Sequence, residues 1–267
     1  MKSRSLAAVL CCFAGSLLAN AVSAEQIYSN GPYVTHPGGH VSGADLSLAQ
    51  DVTYPGYTAL GFAAGPAYRL TDDFSIPLDH IWTIDSAVIY AYQTGSADAA
   101  FTDARVIIWQ GFPDAFGSVK LFDGSVANVL ASSTPDAYRA AQSMPDYVSN
   151  TDRRIKRLQI AIPPLQLTSG LYWIDWTLTG PQSGETYTPP VSILGQPYTS
   201  VGGFASKKCP TSGITDPNDD CFGVPGVWRL VQNGTSPNLV DLPFKLNGSD
   251  IVNTIFRTGF EPVPGTP

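Results

Sequence analysis

Hydrophobic and polar residues alternate along most of this chain in short runs bounded by Gly, Pro, Asn, Asp or Ser. Valine, isoleucine and aromatic residues are frequent within the runs. Period-two alternation over such a length is typical of β-strands with one buried face. The predicted strands are Trp82–Ile84, Ser86–Gln93, Arg105–Gln110, Val119–Phe122, Arg157–Ile162, Leu171–Leu178, Val191–Leu194, Val227–Gln232 and Leu242–Leu246.

Helical periodicity is weak throughout the chain. No segment after the first 24 residues sustains a 3.6-residue apolar period, and the best helix candidate is the short segment Asp136–Ala141. Many strands without intervening helices pack as antiparallel layers. The sequence therefore predicts an all-β fold: a two-sheet antiparallel sandwich, jelly-roll-like, with few or no helices.

The N-terminus has the pattern of a secretory signal peptide. Lys2 and Arg4 precede an apolar run over Leu6–Leu18, and Val22-Ser23-Ala24 supplies the small residues that signal peptidase requires. The apolar run is too short to span a bilayer, and no later segment is apolar enough to do so. We expect residues 1–24 to be removed and the protein to be secreted, extracellular or periplasmic.

The rest of the chain shows no internal repeat and no long linker. One domain over residues 25–249 is therefore expected. Residues 250–267, which include the motif GFE, are expected to form a poorly structured tail.

Charge limits the classes of partner. The net charge is −7, and loss of Lys2 and Arg4 with the leader leaves 13 basic residues against 22 acidic ones. So acidic a chain repels polyanions in general, which argues against nucleic acid as the partner. Hydrophobic residues make up 43% of the chain, enough to build a core.

Two cysteines, Cys209 and Cys221, remain once the leader is removed. In an exported protein such a pair predicts a disulfide, here closing a 13-residue loop. On the chain-entropy model this closure contributes roughly 3 kcal/mol.

The loop between the two cysteines is acidic. Calcium prefers several oxygen ligands on a flexible loop, so this loop is a candidate site for structural calcium, although its spacing does not match an EF-hand. A solvated acidic loop without a metal is the alternative. The candidate ligands are Asp216, Asn218, Asp219 and Asp220.

The segment YWIDW is the candidate ligand-binding strand. Alternation places Tyr172, Ile174 and Trp176 on one face, predicted to be core, and Trp173 with Asp175 on the other. Exposed in a groove, Trp173 could stack on a sugar ring while Asp175 accepts hydrogen bonds from its hydroxyls. The alternative is that Trp173 packs inside the fold.

Histidines and carboxylates offer weaker candidates. His36 and His40 flank Pro-Gly-Gly, which rules out a helical metal pair and predicts a turn; a zinc site would need His80 or Asp45 as well. Asp72-Asp73 is an acidic pair, but adjacent strand residues point to opposite faces.

One short stretch of the chain is rich in basic residues. Four of them lie within five positions, which indicates either charge at a sheet edge that blocks aggregation or contact with an acidic polysaccharide. These residues are Arg153, Arg154, Lys156 and Arg157.

Several segments resemble a group of secreted bacterial β-sandwich proteins without an assigned activity. The resemblance spans about residues 30–248 and implies export and a β fold, but it brings no catalytic residues. The segments are NGPYVTHPGG, DDFSIP with WTI and YQTGS, IIWQGFP, LYWIDW with TPPVSI, and DLPFKLNG.

Three functions remain open from the sequence. The first is binding of an extracellular or cell-surface ligand such as carbohydrate, and the second is a polysaccharide lyase or glycosidase on a jelly-roll scaffold. The third is a structural or adhesive surface protein. No Gly-x-Ser-x-Gly, His-Glu-x-x-His or phosphate-binding glycine motif is present. An enzyme would need a cleft in which His80 or a carboxylate pair meets a tyrosine or arginine.

Overall fold

The computed structural model describes residues 25–50, 59–96, 98–196, 204–215, 219, 221–233 and 239–252. These parts form strands and no helix, so the all-β prediction is confirmed and no membrane-spanning helix is found among them. The strands are β1 (Glu25–Ser29), β2 (Leu46–Ala49), β3 (Phe62–Ala63), β4 (Arg69–Ala91), β5 (Asp103–Gln110), β6 (Val119–Asp123), β7 (Leu130–Ala141), β8 (Arg154–Thr179), β9 (Tyr187–Thr188), β10 (Ser206–Lys208), β11 (Trp228–Leu230) and β12 (Phe244–Val252).

Ten strands form one curled sheet, and β3 with β9 forms a small second sheet. The main path runs β1-β12-β4-β8-β5-β6, with β10 and β11 joined at β4, and β7 and β2 joined at β8. All pairings are antiparallel except that of β2 with β7, which is parallel.

Two long strands, β4 and β8, divide the curled sheet into halves. Residues 70–76 of β4 pair with 170–176 of β8, and residues 81–91 pair with 156–168. We call the first half, which also holds β5, β6, β10 and β11, half-sheet 1. The second half, which also holds β1, β2, β7 and β12, is half-sheet 2.

Irregular pairing lets these two strands change direction. The register of β4 against β8 shifts between Ile76 and Ile81, where Asp79 has φ of 67°, and again between Ile84 and Ser86. Pro163-Pro164 lies opposite the second shift, where the ladder needs no amide from either proline. The prolines that favoured separate short strands are thus accommodated within one 26-residue strand.

The main core lies between the two half-sheets. Phe244 of half-sheet 2 packs with ring centroids 6.4 Å from both Phe74 and Trp176 of half-sheet 1. Tyr172, Ile174 and Trp176 all belong to this core, as their alternation predicts. The curled sheet therefore closes on itself as a sandwich.

Two predicted elements and one predicted boundary are wrong. Asp136–Ala141 is not a helix but the end of β7, because its backbone pairs with β2 and β8. In the predicted strand Val191–Leu194, Ile193 makes an isolated bridge with Gln196 and no strand forms. β12 continues to Val252, three residues into the predicted tail.

Candidate functional site

A cleft of about 600 Å³ lies on the outer face of half-sheet 2. Four neighbouring strands supply its polar lining: Lys245 from β12, Tyr90 from β4, Arg157 from β8 and Asp136 from β7. The chain segment from Ser29 to Val34 and the side chain of Asp45 complete the walls.

Strand register places these side chains on one face. Arg157 lies directly opposite Tyr90, and Lys245 lies opposite Val88, which points the same way as Tyr90. Ala87, Ile89 and Ala91 point into the main core instead. A one-residue slip would bury both cations and remove the cleft.

Two tyrosines form the floor of the cleft. The rings of Tyr33 and Tyr90 lie 4.2 Å apart at 40°, and both residues are buried. The segment that carries Tyr33 is fixed two residues later, where the amide of Thr35 donates to the Leu46 carbonyl at 2.9 Å. This contact fixes the segment that crosses half-sheet 2 before β2.

The two carboxylates of the cleft each hold a partner from the protein. Tyr33 donates its hydroxyl hydrogen to Asp136, and the amide of Gly38 donates to Asp45 Oδ1 at 2.7 Å. Both acids are half-buried and line the cleft, and each carboxylate has lone pairs beyond the one that accepts this hydrogen bond.

The two cations of the cleft, Arg157 and Lys245, have no hydrogen-bonding partner of this kind among the described residues. Arg157 is exposed and Lys245 is half-buried. Among the described residues, neither side chain makes an ion pair or a hydrogen bond. The cleft therefore offers two positively charged hydrogen-bond donors.

Burial keeps the tyrosines of the cleft protonated. Desolvation, reinforced by the hydrogen bond to Asp136, raises the pKa of Tyr33 far above its usual range. Desolvation and the charge of Asp136 raise the pKa of Tyr90 to about 12, against the lowering effect of Arg157. Neither phenol is a base at neutral pH.

The expectation that Trp173 and Asp175 are exposed together in a groove is wrong. Trp173 is 6% exposed and Asp175 is 1% exposed. The ring of Phe112 packs edge-on against Trp173, with centroids 4.8 Å apart. In this conformation the indole face is covered and cannot stack on a sugar.

Asp175 serves the fold instead. Its carboxylate accepts hydrogen bonds from the Arg69 guanidinium and from Trp109 Nε1. Desolvation raises the pKa of Asp175 to about 6, although Arg69 and Trp109 oppose the shift. Asp175 thus joins β4, β8 and β5 across the outer face of half-sheet 1.

A second carboxylate, Asp114, binds further donors on that face. Asp114 accepts from Lys208 Nζ at 2.7 Å and Trp228 Nε1 at 3.2 Å, and it lies 3.5 Å from Arg69. Burial raises its pKa, but these donors outweigh that effect and hold the pKa of Asp114 below its usual value. We call Arg69, Asp114, Asp175 and Lys208 the paired network.

The disulfide between Cys209 and Cys221 is confirmed, with the Cα atoms 5.3 Å apart. Of the predicted calcium ligands, Asp216, Asn218 and Asp220 lie outside the described residues. Asp219 Oδ1 accepts a hydrogen bond from the Cys221 amide at 2.8 Å, as the side chain of a turn residue does. The calcium site stays a prediction.

The histidines do not converge. His36 and His40 lie in turns, with Gly39 donating to the His36 carbonyl and Gly43 to the His40 carbonyl. His80 contacts Asp250 at 2.8 Å instead. No three metal-ligating histidines, cysteines or carboxylates come together within the described ranges. The turn interpretation of THPGGH is confirmed.

The basic stretch does not form one patch. Lys156 is buried, Arg154 lies 4.2 Å above the ring of Tyr138, and Arg157 lines the cleft. The acidic pair also separates: Asp72 is buried and accepts from Asn30 Nδ2 and the Leu242 amide, both at 2.7 Å. Asp73, half-buried, lines a separate cavity of about 230 Å³ with Asp241.

The sequence alone does not predict the cleft. Asp45 and Arg157 were candidates only for a metal and for a basic patch, while Tyr33, Tyr90 and Lys245 carried no signal. Their positions are far apart in the chain, and register alone brings them together. The available hint was alternation, which places Tyr90 and Arg157 on polar faces of their strands.

No protein-family model matches this chain, and no curated protein matches it. The resemblance to secreted β-sandwich proteins therefore stays a prediction.

Proposed function

We propose that this is a secreted protein that binds an extracellular or cell-surface saccharide in the cleft on half-sheet 2, without a chemical step. The observation that carries the proposal is the cleft itself. A concave site of about 600 Å³ combines two aromatic residues with donors and acceptors of both charges. Ligand sites typically have such a shape, with a few placed polar groups on a rigid scaffold.

The lining suits the hydroxyls of a sugar. Asp45 and Asp136 can accept hydrogen bonds, while Arg157 and Lys245 can donate them. Charge-assisted hydrogen bonds of this kind are about twice as strong as neutral ones. Because Tyr33 is tied to Asp136 and packed on Tyr90, the floor is already ordered before a ligand enters.

The state of the tyrosines favours binding over a lyase reaction. A lyase that removes a sugar proton with a tyrosine needs a phenol that ionises near the working pH. The raised pKa values of Tyr33 and Tyr90 oppose this role. The cleft does bring a carboxylate pair to a tyrosine and an arginine, so product release must be measured as well as binding.

The test blocks the cleft with a bulky side chain. Ser29 is exposed on the cleft wall, and Ser29→Trp fills space there without removing a core contact. Ser249→Trp is the matched control, because Ser249 is exposed on β12 and does not line the cleft. The purified mature protein and both variants are incubated with a panel of neutral and acidic polysaccharides, and retention and release of sugar products are both scored.

We expect the wild type and Ser249→Trp to be retained on at least one polysaccharide and Ser29→Trp to lose most of that retention. No retention on any member of the panel would overturn the binding proposal. Equal retention of both variants would remove the cleft as the site. Release of shortened or unsaturated sugars would replace binding by the lyase or glycosidase function.

A further inference from the structure

We infer that the ligand of the cleft is an anionic saccharide whose acidic group is held between Arg157 and Lys245. This inference rests on the proposed function and names the ligand class of the same site. Its chemistry is that of a sugar ring carrying a carboxylate or a sulfate ester, either of which accepts hydrogen bonds from a guanidinium and an ammonium.

Arg157 and Lys245 differ from several other cations of the described chain. Several basic side chains have an acidic partner, whereas Arg157 and Lys245 have none among the described residues. The paired ones are Arg69, Arg105, Lys120 and Lys208. Each of these two cations is therefore free, among the described residues, to donate a charge-assisted hydrogen bond to an acidic group that enters the cavity.

The two acids of the cleft contact other groups of the protein. Asp136 accepts from the Tyr33 hydroxyl and Asp45 accepts from the Gly38 amide, and among the described residues neither acid forms an ion pair with Arg157 or Lys245. Neither carboxylate therefore pairs with Arg157 or Lys245 in the way that the acidic group of a ligand would. Their remaining lone pairs are suited to hydroxyls of the same sugar.

Arg157 and Lys245 lie near each other on the outer face of half-sheet 2. β8 and β12 flank β4 on its two sides, so the backbones that carry Arg157 and Lys245 are separated by two strand spacings, about 10 Å. Both residues lie on the outer face, two positions apart in their pairing to β4. Long side chains from both sides can reach one acidic group above Tyr90.

The experiment compares matched ligands by titration calorimetry on the full mature protein. One pair is oligogalacturonate and its carboxyl-reduced counterpart, and the other is dextran sulfate and dextran. Arg157→Gln and Lys245→Gln remove one cation each, and Arg229→Gln removes an exposed cation on β11, far from the cleft, as a control. Thermal unfolding of each variant checks that it folds.

We expect at least one anionic ligand to bind more tightly than its neutral counterpart, and the pair in which this occurs identifies the acidic group. Each cleft variant should weaken that binding about tenfold, as loss of one charge-assisted hydrogen bond does, while Arg229→Gln leaves it unchanged. Salt should weaken wild-type binding.

Equal or tighter binding of the neutral counterparts would overturn the inference and leave saccharide binding intact. The same would follow if the folded cleft variants bound the anionic ligand as the wild type does. Failure of every polysaccharide in the wider panel would instead overturn the proposed function itself.

Discussion

The outer faces of the two half-sheets use the same residue types to opposite effect. On half-sheet 1, Asp175 and Asp114 bind Arg69 and Lys208, and the indoles of Trp109 and Trp173 are buried. On half-sheet 2, Asp136 binds a tyrosine, and Arg157 and Lys245 line a cavity without forming an ion pair with any described residue. A charged aromatic cluster is therefore a binding candidate only where its charges are left unpaired.

The physical reason is the cost of removing a paired charge from its partner. A ligand that entered the paired network would first have to break the ion pair between Arg69 and the buried Asp175, which costs more than a new contact returns. A ligand in the cleft meets charges that already face solvent and only displaces water. The paired network stabilises the fold, and the cleft is open to bind.

The largest expected effect is on the paired network. Asp175→Ala leaves the Arg69 guanidinium and the Trp109 indole N–H without their shared buried acceptor. We expect the free energy of unfolding to fall by about 3–5 kcal/mol, measured by urea titration. Asp103→Ala, which breaks the more exposed pair with Arg105, should cost less than about 1 kcal/mol. Equal losses would mean that burial does not distinguish the two pairs.

The disulfide gives the next largest effect. Cys209 directly follows β10, which carries Lys208 of the paired network, so replacing both cysteines by serine also loosens that edge. The double variant should lose about 3 kcal/mol of unfolding free energy, measured by thermal and urea unfolding. Saccharide binding by the folded double variant should be unchanged, because the cleft lies on the other half-sheet. Lost binding in a folded variant would contradict the separation of the two faces.

A smaller effect is expected from an acid that has no cationic partner in the part of the chain that the structure describes. Burial, and the charge of Asp73, raise the pKa of Asp241 from an ordinary 3.8 to about 6. The folded state then binds the proton more tightly than the unfolded state, so this group lowers stability as pH rises from about 4 to about 6. Asp241→Asn should match the wild type near pH 4 and exceed it at pH 7.

Partial exposure screens this effect, so the gain at pH 7 should stay below about 1 kcal/mol. The measurement is urea unfolding at several pH values. Asp103→Asn is the control, since Asp103 has a cationic partner in Arg105. A gain of the same size at pH 4 would show that ionisation of Asp241 is not its cause.

The smallest effect on stability is expected in the cleft. Arg157→Gln and Lys245→Gln remove no ion pair among the described residues, so unfolding free energies should stay within about 0.5 kcal/mol of wild type. Arg69→Gln, which breaks contacts to Asp175 and Asp114, is the matched comparison and should be clearly destabilising. Equal destabilisation by Arg69→Gln and Arg157→Gln would erase the distinction between the two faces.

The sequence predicted much of the fold because its signals are local. Alternation in YWIDW correctly sent Tyr172, Ile174 and Trp176 into the core. It could not show that Phe112 covers Trp173 from the turn after β5, since the position of a turn over a sheet is not encoded in a strand's own pattern. The same limit hid the continuity of β8 through Pro163-Pro164, where the irregular register removes the penalty of proline.

By itself the sequence determined the strand class, the sandwich and the Cys209–Cys221 pair, because period-two alternation and a short loop between cysteines act over neighbouring residues. The tertiary structure alone decided which charges are paired. Tyr33, Asp136 and Lys245 are separated by about a hundred residues each, and they meet only because β12, β4, β8 and β7 align in one register. Pairing depends on distances across strands, and no local pattern contains those distances.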